Sequence, residues 1–317
     1  MRCFHVLLVV IALCLSIPIL AGCGGGEDPE QVLDSATFEG VESADFDLSL
    51  QIESAGEQGG NLDVSLAGRA QADSVQATAK VSGTAQGKPV DFEGGLTLLA
   101  KRGFVDYRGT EYEIDPGNYS FAKPLFFPAL SEKGGAELVA CRRAASGIER
   151  GGLVDNLASE GSAEVAGVET TKLGGELDVP AAVEALIGLA EDPGCGVQFE
   201  ALSPFPKYKV RLLGDELSGS AEKARVEIYV GDDDIVRKVS GEFTGEPGGG
   251  REPAKVDFEF TLSDVNASQK IEIPSGAKPV TVLFGKLGID PFEFLSWSRG
   301  GEGVRSLGEK VAADAFP

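Results

Sequence analysis

Phe46, Leu48, Leu50 and Ile52 alternate with acidic, serine and glutamine positions, and this period of two returns along much of the chain. Such alternation is the pattern of a strand with one buried face. Leu62, Val64 and Leu66 repeat it after the Gly59-Gly60 turn, followed by Val75 to Val81, Val90-Phe92-Gly94-Leu96-Leu98, Phe104 to Tyr107, and Tyr112 with Ile114 beyond the Arg108-Gly109-Thr110 turn. The links are too short for crossover helices, so this half reads as an antiparallel meander.

The pattern breaks at Pro116. Phe121, Leu125, Phe126, Phe127 and Leu130 crowd around Pro124 and Pro128, and helical or irregular structure is expected to about Ala158, with Ala136 to Ala145 as its best helix. A hairpin then pairs Ala163–Val165 with Val168–Lys172 across Ala166-Gly167. Asp178 caps a segment in which Val179, Val183, Leu186, Ile187 and Ala190 recur at helical spacing. Strands resume at Tyr208 to Leu213, Ala224 to Val230, Ile235 to Thr244 and Ala254 to Leu262, with a Gly- and Pro-rich loop over 245–253. Residues 286–317 carry Phe292, Phe294 and Trp297 and receive no assignment. The expected fold is α+β: a large curved antiparallel β-sheet, a half-barrel, with helices covering the concave face. A sheet whose strands have one apolar face must cover that face with helices, with itself by curling, or with a ligand.

The N-terminus is read as processing signal, not fold. Met1-Arg2 leads into an apolar run from Val6 to Leu20 that ends at Leu20-Ala21-Gly22-Cys23. The run is shorter than the ~20 residues a membrane-spanning helix needs. Its end resembles the lipobox of bacterial lipoproteins. That resemblance implies removal of residues 1–22, a diacylglyceryl group on the Cys23 thiol, and residence on the outer face of a bacterial membrane. Two or three acyl chains at about 0.8 kcal/mol per buried CH₂ make a stable anchor. Residues 23–36 then form the tether, in which Pro29 to Ala36 is a short helix capped by Asp28. Residues 37–275 form the main domain and 276–317 a C-terminal extension.

Composition removes whole classes of chemistry. The only histidine is His5 and the only methionine Met1, both in the leader. Serine or cysteine nucleophiles paired with histidine, HExxH zinc sites and histidine bases are thereby excluded from the mature chain. Carboxylate catalysis survives as the third reading, and no Gly-rich phosphate loop or metal-ligand cluster accompanies it. No cofactor or metal is expected. Fifty acidic residues against 28 basic ones give a net charge of −22, which repels nucleic acid and anionic lipid headgroups over most of the surface, so no nucleic-acid partner is expected. Asp232-Asp233-Asp234 suggests calcium or, between Val226–Val230 and Ile235–Arg237, a hairpin turn. With Cys3 and Cys14 in the leader and Cys23 acylated, Cys141 and Cys195 form one disulfide or stand as two buried thiols.

The order of these features resembles the LppX/LprAFG family of bacterial lipoproteins, which has a LolA-like half-barrel fold. The matching stretches, within residues 23–275, are the lipobox, Ser43-Ala44-Asp45-Phe46, Glu111-Tyr112-Glu113-Ile114-Asp115-Pro116, Val165-Ala166-Gly167-Val168-Glu169-Thr170 running on to Leu177-Asp178-Val179, and Val226-Glu227-Ile228-Tyr229-Val230 with its acidic turn and Arg237. The resemblance implies an apolar cavity that takes acyl lipid or glycolipid and carries it across the envelope. Leu48, Leu50, Phe92, Leu96, Leu98, Val226, Ile228, Phe258 and Phe260 are the candidates for its inward face, and Phe121, Phe126 and Phe127 for a lid; each is otherwise a core residue. The acidic balance, the cysteine pair and the tail beyond Pro274 depart from the family. The alternative is a surface-anchored scaffold or partner-binding lipoprotein whose cavity is filled.

Overall fold

The structure is a computed structural model that describes residues 28–38, 40–54, 59–71, 74–85, 87–117, 119, 150–192, 195, 223–245 and 254–288. Its strands form one open, curved sheet. In chain order they are β1 (Ser43–Ser54), β2 (Gly60–Gln71), β3 (Ser74–Ala85), β4 (Lys88–Leu98), β5 (Gly103–Tyr107), β6 (Thr110–Ile114), β7 (Val154–Val165), β8 (Val168–Asp178), β9 (Lys223–Gly231), β10 (Val236–Gly245), β11 (Ala254–Ser263) and β12 (Lys278–Pro279). Their order in space is β12-β6-β5-β4-β3-β2-β1-β11-β10-β9-β8-β7, so two meanders meet where β1 pairs with β11. All pairings are antiparallel except that of β12 with β6.

The helices are α1 (Pro29–Ser35), α2 (Val179–Glu191) and α3 (Val280–Leu287), with a 3-10 turn at Arg150–Leu153. Asp28 caps α1 by accepting from the Glu30 N–H, and Asp178 caps α2 by accepting from the Ala181 N–H at 2.8 Å, each ahead of a proline in the first turn. α1 lays Leu33 against Val154, Leu173, Val226, Ile228 and Val239 of β7–β10. At the other end of the same face, α3 sets Val280, Leu283 and Phe284 on Tyr112 of β6. The side of the sheet that carries these two helices is called the inner face below.

Between β11 and β12 the chain runs as a strap. Arg69 donates to the Lys270 carbonyl at 3.0 Å and the Ser43 hydroxyl to the Ala267 carbonyl at 2.6 Å, tying the strap to the ends of β2 and β1. The expected boundary at residue 275 falls within this strap, and residues 278–287 belong to the same sheet and its inner packing.

Two expectations are corrected. Residues 154–158 are not helical or irregular but the first part of β7, and the hairpin expected over 163–172 spans 154–178. Among the described residues β7 has one neighbour, and register breaks between Asp155 and Ala158 and between Ser159 and Gly161, with φ of 53° at Asn156 and 97° at Gly161, destroy the alternation that would have betrayed it. The helix over 136–145, the strand over 208–213 and the tail aromatics Phe292, Phe294 and Trp297 lie outside the described residues.

Candidate functional site

Cross-strand partners in an antiparallel sheet point to the same side, so the register shows which residues share the inner face. One rung reads Phe92, Val81, Val64, Leu50, Phe258, Gly241 and Val226 across β4-β3-β2-β1-β11-β10-β9. The next reads Gly94, Ala79, Leu66, Leu48, Phe260, Val239 and Ile228. Leu96 follows one rung on, beside Ala77, and Leu98 the rung after, beside Val75. All nine candidate strand residues therefore lie on one face. Phe121, Phe126 and Phe127, like Cys23 and Cys141, lie outside the described residues.

That face is charge-free over a broad area. In a chain that is 25% charged, its positions at 44–52, 62–70, 75–83, 90–98, 103–107, 226–230, 239–243 and 256–262 hold only Ala, Gly, Val, Leu, Ile, Phe and Tyr.

Its burial is uneven. Leu50, Leu98 and Leu173 are at most 1% exposed, and Leu48, Val226, Ile228 and Phe260 are also buried. By contrast Leu62, Val64, Leu66, Ala77, Ala79, Val81, Phe92, Leu96 and Phe258 are only half-buried. Among the described residues, neither the cluster around α1 nor the one around α3 includes a residue of β2, β3 or β4, although Leu48, Leu50 and Leu98 are buried without belonging to either. Between the two helices runs an apolar strip several strands wide.

Glycines flatten this strip. A Cβ built on Gly241 would stand 2.5 Å from the Phe258 ring, one on Gly68 2.7 Å from Phe46, and one on Gly94 2.8 Å from Phe92. The rings lie down over the glycines instead of standing up from the sheet, an arrangement that also repairs the weak packing of strand glycine. Tyr119 does the same over Gly103, and its hydroxyl donates to the Leu99 carbonyl.

The outer face is polar and knitted by ion pairs. Lys172 on β8 sits 2.8 Å from Glu160 and 3.0 Å from Glu227, which also accepts from Tyr229 at 3.0 Å. These hydrogen bonds hold the Lys172 ammonium pKa above its ordinary value. Burial pushes Glu227 up, but hydrogen bonds from Lys172, Tyr229 and Arg225 outweigh it and leave its carboxyl below the usual range. Asp106 and Glu111 face each other across β5 and β6; burial first, and the Asp106 charge second, raise the Glu111 pKa. A shallow groove of about 410 Å³ on this side is lined by Asp45, Asp47, Arg69, Gln76 and Thr78.

Asp232-Asp233-Asp234 is the β9–β10 turn, with Asp234 at a φ of 61°. Asp233 accepts from the Ile235 N–H at 3.2 Å and from the buried Arg237 guanidinium at 2.7 Å. Its carboxylate is committed to the fold, which favours the turn over a calcium site. Among the described residues no group of three or more His, Cys, Asp or Glu is placed to hold a metal, and no helix is long and apolar enough to cross a membrane. Cys195 is buried.

Sequence reasoning missed three contributors to the face: Phe38, whose ring meets Phe260 edge-on at 6.3 Å, and the α3 residues Leu283 and Phe284. For α3 the signal was present, since Val280, Leu283, Phe284 and Leu287 follow helical spacing.

The architecture is thus that of an open antiparallel half-barrel with an apolar, helix-bearing inner face. Among solved structures the chain is similar to LprF from Mycobacterium bovis, at 14% identity and a TM-score of 0.37, over 78% of this chain and 97% of that one. It is similar also to the Mycobacterium tuberculosis lipoprotein LppX, at 14% identity and a TM-score of 0.27 over 74% and 91% of the two chains. A LolA superfamily protein from Nitrosomonas europaea follows at 6% identity and a TM-score of 0.18, over 74% and 89%. No family model and no curated protein matches. Superpositions this loose carry no functional argument.

Proposed function

We propose that the protein is an exported lipoprotein, anchored through acylated Cys23, whose inner face takes the hydrocarbon chains of an acyl lipid or glycolipid. One observation carries this reading: a broad charge-free face whose side chains on β2 and β3 are half-buried, between two helices packed at its ends. A lipid chain leaving a bilayer exposes apolar surface at roughly 25 cal/mol per Å², so a carrier must offer apolar area in return. The strip over β2–β4, with its rings laid flat, supplies such area and offers no counter-charge. A charged headgroup therefore stays outside the strip.

The test is native mass spectrometry of residues 24–317, exported without lipidation. Added masses that disappear on solvent extraction support a carrier and begin to identify its cargo. A clean mass that is unchanged after incubation with envelope lipid would favour the partner-binding lipoprotein instead. Anchoring has its own check, because Cys23→Ser should release the protein from membranes. We also propose that Cys141 and Cys195 pair; thiol labelling without reductant should then find both blocked, and free labelling of the two would sink the pairing.

A further inference from the structure

The point at which the chain joins the folded body limits how that body can sit on a membrane. From Asp28 to Thr37 the backbone is held in α1 and then bonded to the sheet. The Asp28 carbonyl accepts from the Val32 N–H at 3.0 Å, and Leu33 and Ala36 are 4% and 1% exposed. Thr37 then forms a bridge to Ile235, its N–H donating to the Asp234 carbonyl and its carbonyl accepting from Val236, both at 2.8 Å.

Only residues 24–27 separate this fixed point from Cys23. Five Cα–Cα steps reach at most about 18 Å when fully extended, and a Gly-rich chain of that length averages about 12 Å end to end. The sheet is far larger: eleven strand spacings of about 4.8 Å give on the order of 53 Å measured along its curve. A tether this short cannot let a body this wide turn freely above a bilayer.

We infer that the domain is held with its α1 side toward the lipid surface, so that α1, which lies over the β7–β10 half of the inner face, is nearest the leaflet while the outer face of β2–β4 points away. This rests on the reading of Cys23 as the lipidated residue. Charge plays no attractive part, because α1 brings exposed Glu30 and Asp34 and the adjoining turn brings Asp232 to Asp234. The orientation is imposed by the tether against a repulsion that salt screens within about 8 Å. Its consequence is a short route for a lipid chain between the leaflet and the apolar strip, passing beside α1.

The test uses the full acylated protein in phosphatidylethanolamine–phosphatidylglycerol vesicles. A photoreactive benzoylphenylalanine replaces either Gln31, exposed on α1, or Ser82, exposed on the outer face of β3. β3 lies five strands from β9, about 24 Å along the sheet. Cross-linking to phospholipid should be at least fivefold greater from position 31 than from 82, and eighteen Gly and Ser residues inserted after Gly26 should erase the difference. Equal cross-linking from both positions with the native tether, in a protein that Cys23→Ser does release, would overturn the orientation alone. A Cys23→Ser protein that stays on the vesicles would overturn the anchoring and the orientation with it.

Discussion

Gly241 shows how much of the inner face is decided residue by residue. An alanine there would put its Cβ 2.5 Å from the Phe258 ring and 2.8 Å from the Arg225 carbonyl oxygen. The ring must lift, and overpacking of this kind costs about 1–3 kcal/mol. Gly241→Ala should accordingly lower the urea midpoint, and Phe258→Leu in the same chain should recover part of the loss because the clashing ring is gone. On the outer face, Glu111 and Glu227 are opposite cases of one chemistry. The Glu111 pKa is raised in the fold, so ionisation opposes folding, and its cost appears as pH rises from the unfolded value through the folded one. The Glu227 pKa is lowered, so its contribution is present above the unfolded value and is lost as pH falls through the folded one. Glu111→Gln should therefore stabilise the protein at pH 7 and Glu227→Gln destabilise it. Each effect should be a few tenths to about 1 kcal/mol, because the pairs are partly solvated. Both differences should shrink in denaturation curves taken near pH 4.

At the scale of elements, legibility followed how many neighbours each segment has. β1, β4 and β11 are flanked on both sides and carry clean alternation, so Leu48, Leu50, Phe92, Phe258 and Phe260 could be assigned to one face from spacing alone. Among the described residues β7 has one neighbour and two breaks in register, and its residues Asp155, Asn156 and Glu160 are exposed. Such breaks erase its signature. What no spacing could report is which part of the face α3 covers, since that depends on where the strap delivers it. Here Leu283 is the decisive side chain, buried with Val280 and Phe284 against Tyr112. Leu283→Ala should cost about 2–5 kcal/mol if the whole domain unfolds as a unit. Hydrogen exchange would show whether the loss is global or confined to β12 and α3, and a negligible effect on both would mean that α3 does not hold this end of the face.

For the molecule as a whole, the question is whether the strip between the helices is space for a ligand or the surface of a filled core, and residue type does not distinguish the two. Volume does. Ala79 sits mid-strip on β3, half-buried, with Leu66 and Gly94 as its cross-strand neighbours. In a filled core, Ala79→Trp forces a large side chain into packed surroundings and should destabilise by about 1–3 kcal/mol or more. In an open trough the indole lies in ligand space and buries its own apolar surface, so the urea midpoint holds or rises while acyl-lipid uptake falls. The carrier reading expects the second outcome, with at least a fivefold loss of bound lipid by mass spectrometry and no loss of stability. A destabilised variant that never held lipid in its parent form would instead assign the inner face to packing and move the function to a partner met elsewhere on the surface.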